Sequence, residues 1–266
     1  MRARGVLLYG VAAVVGITGA TLIYAPAGIA AWMVGKASNG SVAIVEPYGT
    51  FWRGGGDLVV QGARGPLRVP GFSWAVQPGR LWRGELAAAV RAQGPDINGS
   101  AELGRSVQGV ALRRVLIHAP IRLLAANVPV LQPLGPSGGL TLRTDALTVD
   151  ASAVTGSADV LIEHAESARY GTLGDYRIAL DGMANGAALT VTTLHGPLHV
   201  EGSGEVNLAG QLRFRGRASA DESERERFGP VLAFIGVPRP DGSVPLEWPL
   251  SGAGNGLRGT PVVSAN

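Results

Sequence analysis

Apolar and polar residues alternate at period two through much of the chain between about residues 56 and 218, the signature of strands with one wet and one dry face. Leu140 and Leu142, then Leu147 and Val149, alternate with Thr141, Arg143, Thr148 and Asp150. Val160, Ile162 and His164 are predicted on one face with Leu161 and Glu163 on the other, and Tyr176, Ile178 and Leu180 oppose Arg177 and Ala179. Leu212, Phe214, Gly216 and Ala218 oppose Gln211, Arg213, Arg215 and Arg217. The pairs Gly65-Pro66, Pro70-Gly71, Pro78-Gly79, Gly94-Pro95 and Gly196-Pro197 read as turns between these strands. Strands so closely spaced pair as antiparallel hairpins, because a βαβ unit needs a crossover of about a dozen residues or more. The predicted fold is mainly β: a curved antiparallel sheet, open or partly closed.

Two short helices interrupt the pattern. Pro120 to Asn127 carries Ile121, Leu124 and Ala125 at helical spacing. Ser219-Ala220-Asp221-Glu222 reads as a capping box, with Phe228, Val231, Leu232 and Ile235 behind it at i, i+3, i+4 and i+7 and Gly236 as the stop. Gly229-Pro230 is a flaw expected to split or kink that helix.

The N-terminus is different in kind. From Gly5 to Gly35 there is no charged side chain, and Gly5 to Tyr24 is 20 residues, long enough for a hydrocarbon core of about 30 Å. Arg2 and Arg4 precede the run, so the positive-inside tendency places the N-terminus in the cytoplasm. A cleavable signal peptide is the alternative, but its apolar region would be about 7–15 residues. Tyr24 and Trp32 suit the aromatic belt at the far interface, and Pro26 is expected to end or kink the helix. The expected organisation is residues 1–36 as cytoplasmic tip and transmembrane anchor, 37–250 as a β-rich domain and 251–266 as a disordered tail. In a bacterium this is a single-pass inner-membrane protein with its C-terminal domain in the periplasm.

Composition narrows the function classes. The 266 residues include 40 glycines, 17 prolines and no cysteine, which excludes disulfides, thiolate metal sites and a cysteine nucleophile. The net charge is +3, with basic residues scattered among 20 acids, so nucleic acid is not an expected partner. An internal duplication is suggested by residues 49–129 and 138–238, each running through strands to a helix and then Val-Pro.

No catalytic constellation is visible, and neither an enzyme nor a cofactor is expected. His195 and His199 on one strand would stand roughly 13 Å apart, too far to share a metal ion. Glu163-His164-Ala165-Glu166 sets a carboxylate beside an imidazole, but strand neighbours point to opposite faces. Gly54-Gly55-Gly56 does not stand between a strand and a helix, so it reads as a bulge or tight bend rather than a phosphate cradle. Arg213, Arg215 and Arg217 form a row able to meet an acidic partner or lipid headgroups, or simply the wet face of a sheet. Trp52 and Trp82 are candidate contact residues if they border the sheet, and core residues if they do not.

The order of motifs resembles a known family. An N-terminal anchor, Gly49-Thr50-Phe51-Trp52-Arg53-Gly54, Phe72-Ser73-Trp74 followed by Pro78 and Leu81-Trp82-Arg83-Gly84, then Leu173-Gly174-Asp175-Tyr176 and Gly196-Pro197-Leu198-His199-Val200-Glu201-Gly202, resemble the general secretion pathway protein N family of type II secretion. The resemblance runs from about residue 5 to 250. It implies a non-enzymatic accessory subunit of the machine that moves folded proteins across the outer membrane, with the inner-membrane platform, the linker protein and the secretin as partners. The alternative is a periplasmic lipid-binding or lipid-transfer protein, in which the curved sheet offers an apolar trough to an acyl chain.

Overall fold

The computed structural model describes residues 24–62, 65–125 and 134–248. Thirteen strands form one antiparallel sheet in which every strand pairs with its sequence neighbour: β1 (Val42–Gly49), β2 (Arg53–Gly62), β3 (Gly65–Val76), β4 (Leu86–Gln93), β5 (Asn98–Ser106), β6 (Gly109–Pro120), β7 (Pro136–Asp150), β8 (Val154–Ser167), β9 (Gly171–Met183), β10 (Gly186–His195), β11 (Leu198–Asn207), β12 (Leu212–Ala220) and β13 (Val244–Trp248). The sheet is open, and β1 and β13 are its edges. Helix α1 (Ala27–Ala37) precedes it, the single turn α2 (Arg122–Ala125) follows β6, and α3 (Arg225–Ile235) lies between β12 and β13. Among the described residues six strands precede α2 and six more precede α3.

Cross-strand partners share a face, so the register carries the predicted dry face from strand to strand. Leu212, Phe214 and Ala218 stand opposite Val206, Gly204 and Val200; Leu180, Ile178 and Tyr176 stand opposite Ala158, Val160 and Ile162. Two helices cover parts of this face. Ala27 of α1, with Ala30, Ala31 and Val34 behind it, packs on Ile44, Trp74, Leu58 and Phe72. Phe228, Val231 and Leu232 of α3 pack on Ile162, Ala165, Tyr170, Leu173, Tyr176, Leu198 and Ala218. Pro26 is the N-cap of α1 and forms an isolated bridge with Thr50; the helix that Pro26 is expected to end or kink lies outside the described residues. Most of the expected membrane span, residues 5–23, and the tail at 251–266 lie outside the described residues. No helix among the described residues is long and apolar enough to cross a membrane.

Several expectations change in contact with the sheet. Val160 and Ile162 face the core, but His164 does not. It has φ +52 and sits in a bulge between Ile162 and Ala165, which moves the buried positions to Ala165 and Ser167. Glu46 and Arg114 have left-handed φ at similar register shifts in β1 and β6. Pro70-Gly71 is not a turn: it lies inside β3, opposite the shift between Gly56 and Leu58, with Gly71 at φ +67. The capping box does not form. Ser219 and Ala220 remain paired with His199 and Leu198, a 3-10 turn follows at Glu222–Glu224, and Glu224 caps α3 without a side-chain hydrogen bond. Extending the ladder by two residues satisfies backbone groups that a cap would have served one at a time. Pro230 is carried inside an uninterrupted α3. Strands β1 and β13, the two edges, lie outside the alternating span of residues 56–218.

The glycine-rich β2 segment carries the expected irregularity, a register shift between Gly56 and Leu58, and also makes room for rings. A side chain at Gly54 would meet Trp74 Cζ2 at 2.5 Å, and one at Gly55 would strike the Tyr48 ring on the opposite face. Phe214 of β12 likewise overlies Gly202 of β11. Large rings on one strand thus cover glycines on the next, which recovers buried area that glycine alone cannot supply.

Candidate interaction surface

Arg213, Arg215 and Arg217 all point to the wet face of β12, as the alternation predicts. The neighbouring strands meet them with acids. Glu201 and Glu205 of β11 are the cross-strand partners of Arg217 and Arg213, and Glu247 of β13 is the partner of Arg215. Arg217 Nη2 lies 3.0 Å from Glu201 Oε2. The row is therefore one rung set of a mixed-charge ladder, and its field is far weaker than three aligned cations imply. Both members of the Arg217–Glu201 pair are half exposed, so Arg217→Ala is expected to cost under about 1 kcal/mol, a loss that shrinks further in high salt; urea denaturation at two salt concentrations checks this.

Beside the ladder is an open notch of about 260 Å³ lined by His199, Glu201, Arg217, Ser219, Asp241 and Ser243. His199 Nε2 lies 2.7 Å from Asp221 Oδ1. Asp241 accepts hydrogen bonds from the Ser243 hydroxyl and backbone N–H, which hold its carboxyl below the usual carboxylate range. His195 and His199 are not on one strand: they flank the Gly196-Pro197 turn, on β10 and β11. His195 stands near Asp175, its partner on β9, while His199 is opposite Ser219 on β12. Among the described residues no group of three or more His, Asp and Glu is placed to hold a metal ion.

The tryptophans divide. Trp74 is buried and donates from Nε1 to the Phe51 carbonyl at 3.0 Å. Trp52, in the turn between β1 and β2, is half-buried and meets the Phe51 ring edge-on at 5.2 Å. Trp82 is 94% exposed on the 3-10 turn Pro78–Arg83 between β3 and β4, beside Leu81 at 43%.

That turn is held from several sides. Gln77 N–H bonds the Ala87 carbonyl at 2.8 Å, and Glu85 N–H bonds the Arg80 carbonyl at 3.2 Å. Arg80 reaches Glu85 at 3.2 Å, and Arg113 of β6 reaches the other oxygen of Glu85 at 2.5 Å. The hydrogen bond from Arg113, with the second arginine beside it, keeps the Glu85 carboxyl below its ordinary value. Glu102 pairs with Arg114 and lies 4.0 Å from Arg80. This cluster joins residues 28 positions apart; no sequence signal marked it, because only the β4–β5–β6 register brings them together.

An unbroken thirteen-strand meander, with hairpin tips at both ends and a charge-laddered face, defines a single-sheet antiparallel β protein. A family model described as type II secretion system (T2SS), protein N, matches residues 40–247, and the chain belongs to that family, an accessory component of type II secretion. No curated protein and no solved structure matches it.

Proposed function

We propose that this chain is an inner-membrane-anchored accessory subunit of the type II secretion system, with its sheet in the periplasm, acting in assembly or export of folded proteins. The observation that carries the reading is the family match over residues 40–247. The uncharged run from Gly5 to Gly35 supports the anchor. Membership implies the inner-membrane platform, the linker protein and the secretin as the components to be met. The lipid-carrier alternative draws nothing from the family match.

Deleting the gene is expected to reduce the secreted enzymes recovered from the medium while their periplasmic pool rises, with restoration by the full chain supplied in trans. Unchanged secretion in a strain whose other secretion components are intact would overturn a required role.

A further inference from the structure

The two ends of the strands differ in chemistry. At the end where β1 finishes and β2 begins, the described connections are 50–52, 77–85, 107–108, 151–153, 184–185 and 208–211, and the charged residues in them are Arg80, Arg83 and Glu85. The opposite end carries Asp96, Arg122, Arg169 and the charged stretch Asp221–Arg227. Of the most exposed large apolar side chains, Tyr24 at 76%, Trp82 at 94% and Val107 at 103% stand at the first end, and Val237 at 83% stands at the opposite one.

The chain joins the sheet at this same end. The Ala25 carbonyl accepts from Phe51 N–H at 2.7 Å, and the Trp52 carbonyl accepts from Val76 N–H at 2.7 Å, two residues before the turn that bears Trp82. Tyr24, the β1–β2 turn and the Trp82 turn are thus tied together, immediately after the 20 uncharged residues Gly5 to Tyr24.

We infer that the first three tips at this end, with Leu81, Trp82 and Val107 foremost, seat in the polar interface of a phospholipid bilayer. The inference rests on the anchor reading above. Continuity with the apolar run says what covers the patch: a span ending at Tyr24 leaves these tips at headgroup depth, where aromatic rings are favoured and arginine meets phosphate. Arg83 is exposed for such a contact, as is Arg53 at the start of β2. The acid nearest the Trp82 turn, Glu85, is already engaged by Arg80 and Arg113, so it does not repel an anionic headgroup as a lone carboxylate would. A held turn presents Trp82 with little ordering cost on binding. Strands rotate by roughly 20–25° from one to the next, which turns the later tips progressively away and confines the seat to the first three.

Absence of native cysteine makes the test direct. The full chain, carrying Gly79→Cys, Val107→Cys or, at the opposite end, Arg169→Cys, is labelled with a polarity-sensitive fluorophore and reconstituted in phosphatidylcholine–phosphatidylglycerol vesicles. Gly79 has open space around it and leaves Trp82 in place. Labels at 79 and 107 are expected to be quenched several-fold more by brominated lipid than the label at 169, with the reverse order for aqueous iodide. Adding Trp82→Asp to the Gly79→Cys chain is expected to lower the lipid quenching at least twofold. Labels at 79 and 107 as open to iodide as 169, in chains that stay with the vesicles through an alkaline wash, overturn the seat and leave the anchor standing. Chains released by that wash overturn the anchor and the seat with it.

Discussion

Replacing Phe228 with alanine is expected to lower the stability of the chain by about 3–5 kcal/mol, the usual range for emptying a fully buried aromatic site. Phe228 is 0% exposed and stacks on Tyr170 with ring centroids 6.3 Å apart. The Arg227 guanidinium covers it 4.8 Å from the ring centroid. Around it lie Leu173, Tyr176, Leu198 and Ala218, drawn from β9, β11 and β12, so the ring joins α3 to three strands at once. A small domain has only about 5–15 kcal/mol in hand, and this single truncation removes a large share of it. Urea denaturation followed by tryptophan fluorescence measures the change; a loss below about 1 kcal/mol would mean that α3 is not docked as described. Tyr176 beneath it is buried, and its hydroxyl lies 3.0 Å from the Leu173 carbonyl and 2.9 Å from the Leu198 carbonyl. That burial pushes its pKa up, so acid or mild alkali leaves this part of the core neutral.

Gly196→Ala is the second large effect, expected to cost about 3 kcal/mol or more. Gly196 has φ +116, a backbone geometry that costs a side-chain-bearing residue about 1–3 kcal/mol by itself. A methyl group there would also run into the Gly174 Cα and approach the Leu173 carbonyl oxygen at 2.9 Å. Gly174, at φ +138, is the reciprocal half of the contact. Gly210→Ala is the control: φ is +77 but nothing lies within 4 Å of the added methyl, so it should cost only about 1–2 kcal/mol. The difference between the two melting curves isolates the backbone crowding at the β9–β10–β11 turn, and equal losses would show that crowding contributes nothing.

Much of the fold was legible because its pattern is local. The faces of β9 and β12 follow from alternation alone, and Gly94-Pro95 and Gly196-Pro197 mark real hairpins. The motif order that suggested the family proved a sound guide. Where local patterns failed, a partner strand had intervened. His164 leaves its expected face because β8 bulges against β9, and Pro70-Gly71 stays within β3 because β2 shifts register opposite it. Ser219-Ala220 extends β12 rather than capping α3 because β11 is there to pair with them. The arginine row was found, but its glutamate partners were not, since Glu201 and Glu247 lie on different strands to either side.

By itself, then, the sequence determined which residues could share a strand face, where several turns fall and that the start is apolar, since each depends on neighbours along the chain. Register, bulges, the docking of α1 and α3 and the Arg80–Glu85–Arg113 cluster were decided only by tertiary structure. Pairing chooses among alignments of similar local quality, and a one-residue shift moves every side chain of a strand to the other face. Trp74, held in β3, went to the core, while Trp82, eight residues on, stands on the 3-10 turn at the surface.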